Sequence, residues 1–301
     1  MNSRQSEIRE RLRGPINSVP VAFSEDGRID YAALTRMIDR SLDAGCGVVM
    51  LTWGNSLMSL LTDDEVTDVH AAVARDVAGR ALTVACDNMW GLPKCVEFGR
   101  RVREMGFDLY MVRPPIAMPG TPESLAAYYT AVADEIPVML VGDVPFATCE
   151  ALASVPGVCA FKEDASLDYA HEMGMRWGDR WTVAGGGGLR RHHILASHEW
   201  CPAWLDYFVC SLPDPAFDYW AAIRANDLAI AWRLVTRWEL PLRDYAAATT
   251  CGWDGLVRHA LPELFGTAPR WRRSPAPNPS DAEMAALREF LEGLEWPLPN
   301  A

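Results

Sequence analysis

The 301-residue sequence lacks long apolar runs and an excess of positive charge. No apolar stretch approaches the roughly 18 to 20 residues of a membrane-spanning helix. The N-terminal segment is charged throughout and has no apolar core of the kind found in secretion signals. The formal net charge of −12 argues against a nucleic-acid or anionic-membrane partner, because both require a positive surface. We therefore expect a cytoplasmic protein whose cationic contacts with an anionic substrate are few and local.

The metal-binding and disulfide patterns of small cysteine-rich proteins are also missing. None of the eight cysteines forms a CxxC pair, which argues against a zinc site or a disulfide framework. Most lie in apolar runs, as Cys159 and Cys210 do, where a reduced cysteine packs as a small apolar side chain. The adjacent His192 and His193 would point in different directions on a helix, so shared metal ligation is not indicated.

Short apolar runs alternate with amphipathic stretches over the first two thirds of the chain. The runs are rich in branched and aromatic residues with almost no polar alternation, which is typical of parallel strands buried on both faces. Eight strands are predicted, at residues 16–23, 47–52, 81–86, 109–112, 138–141, 158–161, 181–184 and 205–210.

Helices are predicted between these strands. Asp30 is a good N-cap for the first, and Thr62 with Glu65 forms a capping box at the start of the second. The predicted helices of the barrel region are residues 31–44, the one opened by the capping box, 93–105, 121–136, 146–154, 168–178 and 190–198. After about residue 212 the strand signal stops, and helices are predicted at 213–224, 227–238, 255–265 and 280–294, with a surface linker at 274–280.

This alternation favours an α/β fold, a (β/α)8 TIM barrel, over an open doubly wound sheet. The alternative, a Rossmann-like sheet, normally has a GxGxxG sequence that opens the helix after the first strand, and none is present. We predict a barrel domain at residues 14–225 and a C-terminal helical extension at residues 226–301 that packs on the barrel.

The active site of such a barrel lies at the C-terminal ends of its strands. Lys162 ends an apolar run, and we expect its amine to point into the barrel mouth. Partial burial lowers the pKa of a lysine, and the neutral amine is a nucleophile that forms Schiff bases. The spacing favours equally a structural salt bridge between Lys162 and Glu163 or Asp164.

Other candidates follow neighbouring strands. Arg113 could hold a substrate carboxylate through a bidentate pair, and a salt bridge at the rim is equally expected. Asp143 is a candidate acid–base group, whereas Asp87 is better explained as a helix N-cap. The glycines 185–188 could bring backbone N–H groups against an anion or simply form a tight turn.

These segments resemble the dihydrodipicolinate synthase / N-acetylneuraminate lyase family of pyruvate-type class I aldolases and lyases. Residues 158–163 are similar to the strand that bears the family's Schiff-base lysine, and residues 23–30 resemble the segment after its first strand. The chain also resembles the family in its carboxylate-binding loop and in the helix that follows this loop. The matching segments are residues 47–51, a glycine-containing loop and residues 61–65. The resemblance implies a (β/α)8 barrel, a Schiff base on Lys162, and a homo-oligomer, either a dimer or a tetramer.

The sequence departs from the family pattern in the carboxylate-binding loop. The family loop usually contains Gly-Thr-Thr-Gly-Glu, whereas residues 51–56 are Leu-Thr-Trp-Gly-Asn-Ser. Thr52, Gly54, Asn55 and Ser56 remain candidate substrate-binding residues, together with nearby backbone N–H groups.

Two further departures concern single side chains. Residues 112–117 contain no counterpart of the family's proton-relaying tyrosine. The arginine that dihydrodipicolinate synthases carry after strand 5 is also missing, because Phe146 follows Pro145. Nothing in these segments supports the lysine-biosynthetic reaction.

We therefore predict a lyase, either an aldolase or a hydro-lyase, that acts on a 2-oxo acid through Lys162. Asp143 or a group of the substrate moves the proton, and Arg113, Gly185 and Gly186 join the loop residues in binding the substrate. No metal or cofactor is required, since the protonated imine is itself the electron sink. Two alternatives stay open. One is a non-catalytic binding or regulatory barrel, and the other is a phosphate-binding class I aldolase that uses the glycine run with Arg190 or Arg191.

Overall fold

The structure is a computed structural model that describes residues 3–115, 120–196 and 200–299. Eight parallel strands form a closed barrel in sequence order, and the last pairs with the first. The predicted (β/α)8 barrel is therefore confirmed. The strands are Gly14–Ser18 (β1), Val48–Met50 (β2), Leu82–Cys86 (β3), Leu109–Met111 (β4), Val138–Val141 (β5), Val158–Glu163 (β6), Thr182–Gly185 (β7) and Ala203–Asp206 (β8).

Helices surround the barrel and continue beyond it. The helices up to residue 224 are Ser3–Arg11 (α1), Tyr31–Asp43 (α2), Asp63–Val77 (α3), Leu92–Glu104 (α4), Pro122–Ala133 (α5), Phe146–Leu152 (α6), Leu167–Trp177 (α7), Gly188–Leu195 (α8) and Asp214–Arg224 (α9). They are followed by Leu228–Leu234 (α10), Leu240–Ala246 (α11), Gly252–Gly255 (α12), Leu261–Leu264 (α13) and Asp281–Gly293 (α14). Within the described residues, every helix is too short or too polar to cross a membrane.

Helix α1 is an element that the sequence reasoning missed. It has few apolar residues, and of these Ile8 is buried against the barrel. The Gln5 side-chain amide donates a 2.8 Å hydrogen bond to the carbonyl of Val158, the first residue of β6. Helix α1 therefore lies at the N-terminal end of the barrel, opposite the mouth, and its weak apolar pattern explains why it was not predicted.

Two of the strands were predicted with wrong boundaries. Strand β1 ends at Ser18, well before residue 23, and β8 spans Ala203–Asp206 in place of residues 205–210. The Asp206 carboxylate accepts hydrogen bonds from the backbone N–H groups of Phe208 (2.6 Å) and Val209 (3.0 Å), which turns the chain out of the sheet. The residue that enters the barrel mouth after β8 is consequently Tyr207.

The last helix of the barrel region also differs from its prediction. Helix α8 begins at Gly188, inside the glycine run, and ends at Leu195. Residues 197–199, which include the predicted end at residue 198, lie outside the described residues.

Two Leu–Pro pairs deform the helices of the C-terminal extension in the same way. The π-helical turns Val235–Glu239 and Leu256–Ala260 directly precede Leu240–Pro241 and Leu261–Pro262, respectively. Proline lacks an N–H group, and its ring clashes with the carbonyl four residues earlier, so the turn before each proline widens. Such bulges are frequent at functional sites. These two turns carry Glu239 and Arg258, both buried.

The extension packs on the barrel and covers part of its mouth. Trp204 of β8 and Tyr219 of α9 share an apolar core with Trp238 and with Leu287 of α14. Farther along, Trp271 forms an antiparallel bridge with Phe23, in the loop after β1. The extension therefore covers the β8–β1–β2 side of the mouth, and within the described part of the chain the β4–β5–β6 side is open.

Candidate active site

Lys162 lies on β6, between Val141 of β5 and Ala184 of β7. Side chains alternate between the two faces of a strand. Phe161 stacks on Trp181 and Glu163 pairs with Arg191 of α8, both on the outside of the barrel. Lys162 therefore points into the barrel, where it is 5% exposed.

The Lys162 amine has one carboxylate contact among the described residues. Its Nζ donates a 2.8 Å hydrogen bond to Oδ2 of Asp164, which is largely exposed. Of the two partners that the spacing allowed, the structure selects Asp164. The amine is thus buried at the barrel mouth and touches a carboxylate that solvent can reach.

Glu163 has a different function on the other face of β6. Its carboxylate accepts hydrogen bonds from Nε of Arg191 (2.8 Å) and from the backbone N–H of Gly186 (2.7 Å). Burial raises the pKa of Glu163, and the hydrogen bonds from Arg191 oppose that rise. Arg191 and the Gly186 N–H are therefore already hydrogen-bonded to Glu163, which leaves few free donors for the phosphate site that the glycine run could have formed.

The glycines after β7 provide space at the mouth. A Cβ on Gly186 would lie 2.7 Å from Oδ1 of Asp164, and one on Gly185 would make only ordinary contacts. Gly188 has a φ of +80°, and a Cβ there would collide with the ring of Tyr207. The run is needed because Asp164 and Tyr207 pack directly against its backbone.

The loop after β2 forms a polar cluster with the end of β1. The Asn55 side-chain amide donates to Oγ of Ser18 (2.7 Å), and the Asn55 N–H donates to Oγ1 of Thr52 (3.2 Å). Ser56 is buried, and its hydroxyl donates to the Val19 carbonyl at 2.6 Å, so it stabilises the loop. A Cβ on Gly54 would have open space around it. Of the predicted loop residues, Thr52 and Asn55 therefore lie together at the ends of β1 and β2.

Arg113 and Asp143 meet on the open side of the mouth. Nη2 of Arg113 donates a 2.9 Å hydrogen bond to Oδ1 of Asp143, whose side chain is 73% exposed. The pair lines a cavity of about 250 Å³ with Pro145 and an adjoining one of about 450 Å³ with Asp164. The structure thus brings together Asp143, Arg113 and the carboxylate partner of Lys162 around one groove. Residues 116 and 117, in the segment inspected for a tyrosine, lie outside the described residues.

The covered side of the mouth contains residues that the sequence reasoning missed. The Tyr207 ring lies 4.8 Å from the guanidinium carbon of Arg258 and 5.9 Å from that of Arg243. The Trp253 ring lies nearly perpendicular to the Tyr207 ring, with 5.1 Å between the ring centroids. The only sequence signal for this cluster was the glycine run, because Gly188 makes room for Tyr207.

Asp87 was predicted as an N-cap, and that prediction was wrong. The N-cap of α4 is Gly91. The Asp87 carboxylate instead accepts hydrogen bonds from the Met89 N–H (2.9 Å) and the Tyr110 hydroxyl (2.5 Å). Burial raises the pKa of Asp87. It is therefore an internal structural group of the loop after β3.

The two adjacent histidines have separate surroundings. The ring of His192 lies against Trp204, and its Nδ1 is 2.9 Å from the Tyr219 hydroxyl. Burial lowers the pKa of His192 to about 4. The ring of His193 lies 5.5 Å from Trp232. Across the described residues, no group of three or more His, Cys, Asp or Glu side chains is arranged to hold a metal ion.

Comparison with known proteins shows which family the chain is similar to. Residues 11–192 match the model of the dihydrodipicolinate synthetase family. A 4-hydroxy-tetrahydrodipicolinate synthase of Xanthomonas campestris is 32% identical over 201 residues, which are 62% of this chain and 66% of that protein. The protein of the same name from Mycobacterium leprae is 30% identical over 52% of this chain and 55% of its own length. The chain thus spans about half to two thirds of the length of these relatives.

Solved structures agree over nearly the whole chain. Dihydrodipicolinate synthase from Bacillus clausii superposes with a TM-score of 0.83 at 20% identity, covering 96% of this chain and 100% of that one. N-acetylneuraminate lyase from Mycoplasma synoviae superposes with a TM-score of 0.81 at 16% identity, covering 95% and 98%. At such identities these likenesses show the fold.

Proposed function

This chain belongs to the dihydrodipicolinate synthetase family, and on that premise we propose that it is a lyase acting on a 2-oxo acid through a Schiff base on Lys162. The observation that carries the proposal is a buried amine at the barrel mouth in contact with one solvent-accessible carboxylate. A buried lysine that can pass its proton to a neighbouring group is suited to nucleophilic attack.

The proposed chemistry begins at the Lys162–Asp164 pair. Lys162 Nζ gives a proton to Asp164, and the neutral amine attacks the C2 carbonyl carbon of the oxo acid. As the C–N bond forms, a proton moves from the nitrogen to the former carbonyl oxygen, which gives a neutral carbinolamine. Asp164 then returns its proton to the carbinolamine hydroxyl, which leaves as water, and the product is a protonated imine. The imine nitrogen accepts the electron pair of a bond at C3 as that bond breaks, either a C–C bond in an aldolase or a C–H bond ahead of water loss in a hydro-lyase.

We assign the proton transfers at the substrate carbon to Asp143. It lies on the groove that also contains Asp164, and Arg113 holds its carboxylate in place. General acid–base help of this kind is worth on the order of 10²- to 10⁴-fold in rate. Arg113 thereby positions Asp143 and faces the distal part of the substrate.

We further propose that the reaction is not the lysine-biosynthetic one. Phe146 occupies the position after Pro145 and begins α6, where its ring stacks on Tyr169 at 4.9 Å. Phe146 itself therefore offers no charge to a second substrate, and Arg176, whose guanidinium carbon lies 5.3 Å from the Phe146 ring, already pairs with Glu172 at 2.6 Å. The cytoplasmic location and the dimeric or tetrameric assembly stay predictions.

The proposal is tested by trapping with borohydride in the presence of pyruvate and a panel of larger 2-oxo acids. The chain has two lysines, Lys94 and Lys162, so peptide mass analysis can assign an adduct without ambiguity. Lys94 provides the control, because it is half-exposed and pairs with Asp63 on the outside of the barrel. We expect an adduct on Lys162 that Lys162→Met abolishes and Lys94→Met leaves unchanged.

The same experiment decides the non-catalytic alternative. The Lys162–Asp164 contact is also what a purely structural salt bridge would look like. If no oxo acid in the panel yields an adduct on Lys162, the binding or regulatory barrel becomes the better hypothesis.

A further inference from the structure

Arg258 is a buried arginine on the covered side of the mouth. It sits on the π-helical turn Leu256–Ala260 and is 4% exposed. Its Nη1 donates a long 3.4 Å hydrogen bond to the carbonyl of Ser18, the last residue of β1. Its Nε is buried and has no hydrogen-bond partner among the described residues. The guanidinium therefore reaches the barrel mouth with much of its hydrogen-bonding capacity unused.

The charge of Arg258 is also poorly compensated. Its contact with a carboxylate, Oδ1 of Asp254, is 3.5 Å long, and that side chain is 71% exposed. A second buried arginine, Arg272, has Nε and Nη2 without hydrogen-bond partners in the described part of the chain. Buried cations without well-formed partners are costly, and each one calls for a physical explanation.

The other arginines near the mouth are better paired. Arg113 donates to Asp143 at 2.9 Å, Arg191 to Glu163 at 2.8 Å, and Arg243 to Glu239 at 2.6 Å. In a chain with a net charge of −12, an anionic substrate needs a local cation. Among these four arginines, Arg258 has the longest distance to a carboxylate oxygen, 3.5 Å to Asp254.

The groups around Arg258 suit a carboxylate. Ser18, whose carbonyl it reaches, accepts a hydrogen bond from the Asn55 amide at 2.7 Å and lies 3.3 Å from the Thr52 hydroxyl. On its other side the guanidinium rests on the Tyr207 ring, which limits its orientations. A planar guanidinium beside an amide and a hydroxyl is a suitable set of donors for a carboxylate.

We propose that Arg258 adds a cation to the carboxylate site that the family resemblance implies at the loop after β2, so that Arg258, Asn55 and Thr52 together bind the carboxylate of the 2-oxo acid whose carbonyl carbon Lys162 attacks. The inference rests on the proposed function and adds a specificity-determining residue to it. The carboxylate lies under the C-terminal extension, and the rest of the substrate extends toward Arg113 and Asp143 on the open side. Substrate selection thus depends on a side chain from outside the barrel strands.

The test compares pyruvate with methyl pyruvate, which has the same ketone but no negative charge. The rate of borohydride-trappable adduct formation is measured for both probes as a function of their concentration. Arg258→Met is expected to lower the apparent affinity for pyruvate about 10- to 100-fold, the range for a lost hydrogen bond to a charged group. The apparent affinity for methyl pyruvate should change little in this variant. Arg258→Lys should have an apparent affinity for pyruvate between those of the wild type and Arg258→Met.

A matched control is available in Arg36→Met. Arg36 also links the barrel to the C-terminal segment, through a 3.1 Å hydrogen bond from Nε to the Thr267 carbonyl, but it lies on α2 away from the mouth. This variant should retain the preference for pyruvate. An Arg258 variant that keeps the wild-type preference, or that loses both probes equally while remaining folded, would overturn the inference. Arg258→Lys serves if the methionine variant does not fold.

A second arm separates this inference from the proposed function. Lys162→Met cannot form an imine, so calorimetry with pyruvate and larger 2-oxo acids measures carboxylate binding alone. We expect binding by Lys162→Met and its loss in the double variant with Arg258→Met. If wild-type protein traps no oxo acid but this Arg258-dependent binding is seen, the lyase proposal fails and the carboxylate site stands. Absence of binding by Lys162→Met would overturn the site itself.

Discussion

The Nζ of Lys162 and the Oδ2 of Asp164 lie 2.8 Å apart at the barrel mouth, and the backbone of Gly186 packs against the other carboxylate oxygen. The three residues come from the ends of β6 and β7. The position of the carboxylate relative to the amine is therefore set by two neighbouring strands.

Replacing Asp164 should slow imine formation without removing the nucleophile. In Asp164→Asn the amine loses its proton acceptor, and we expect the rate of borohydride-trappable adduct formation to fall by about 10²-fold or more. The adduct should still map to Lys162. Asp168→Asn, an exposed change in the first turn of α7, should leave the rate unchanged. Equal rates for wild type and Asp164→Asn would rule out this role for Asp164.

Adding a methyl group at Gly186 should displace the same carboxylate. The new Cβ would lie 2.7 Å from both Asp164 Oδ1 and the Glu163 carbonyl, closer than such atoms approach in folded proteins. Gly186→Ala should therefore lower the adduct rate and destabilise the fold by about 1–3 kcal/mol, as overpacking does. Gly47→Ala is the control, because a Cβ there meets nothing within 4 Å. Urea denaturation and the trapping assay measure the two effects, and a Gly186→Ala variant that matches wild type in both would contradict the prediction.

Glu239 should be essential to the covered side of the mouth. Its buried carboxylate accepts hydrogen bonds from Nε of Arg243 (2.6 Å) and from the Arg190 N–H at the start of α8 (3.1 Å). Glu239→Gln would leave Arg243 without a charged partner, and we expect a loss of about 1–3 kcal/mol in the free energy of unfolding. Glu289→Gln, on α14, should cost less than about 0.5 kcal/mol. Similar denaturation midpoints for the two variants would show that the buried pair contributes little.

The ion pair between Glu65 and Arg273 should make the attachment of the extension depend on pH. Hydrogen bonds from Arg273 lower the pKa of Glu65 to about 2. A depressed carboxylate pKa stabilises the fold above the unfolded-state value near ~4.3, and that stabilisation is lost as the pH falls toward 2. Because the pair is partly exposed, we expect Glu65→Gln to cost only about 1 kcal/mol at pH 7. The difference from wild type should shrink as the pH falls toward 2 and disappear below that value, as measured by urea denaturation, and a difference that persists below pH 2 would exclude an electrostatic origin.

The local features of the fold could be predicted because they depend on neighbouring residues. The capping box is one case, since the Glu65 N–H donates to the Thr62 hydroxyl oxygen (3.3 Å) and the Thr62 N–H donates to the Glu65 carboxylate (3.0 Å), as expected. The buried apolar runs identified all eight strands, although β1 and β8 were misplaced at their ends. Their ends depend on hydrogen bonds such as those of Asp206 to the turn that follows, which a run of apolar residues does not encode.

The sequence by itself determined the barrel, the position of Lys162 on strand β6 and the polar residues after β2, because short apolar runs and short-range spacing carry that information. Only the tertiary structure decided that Lys162 pairs with Asp164 while Glu163 turns outward to Arg191. It also brought Arg258 to the end of β1, 240 positions away in the chain. Such contacts depend on how helices that are distant in the sequence pack together. The prolines that widen the π-helical turns act locally, but the residues that these turns bring into contact are remote in the sequence.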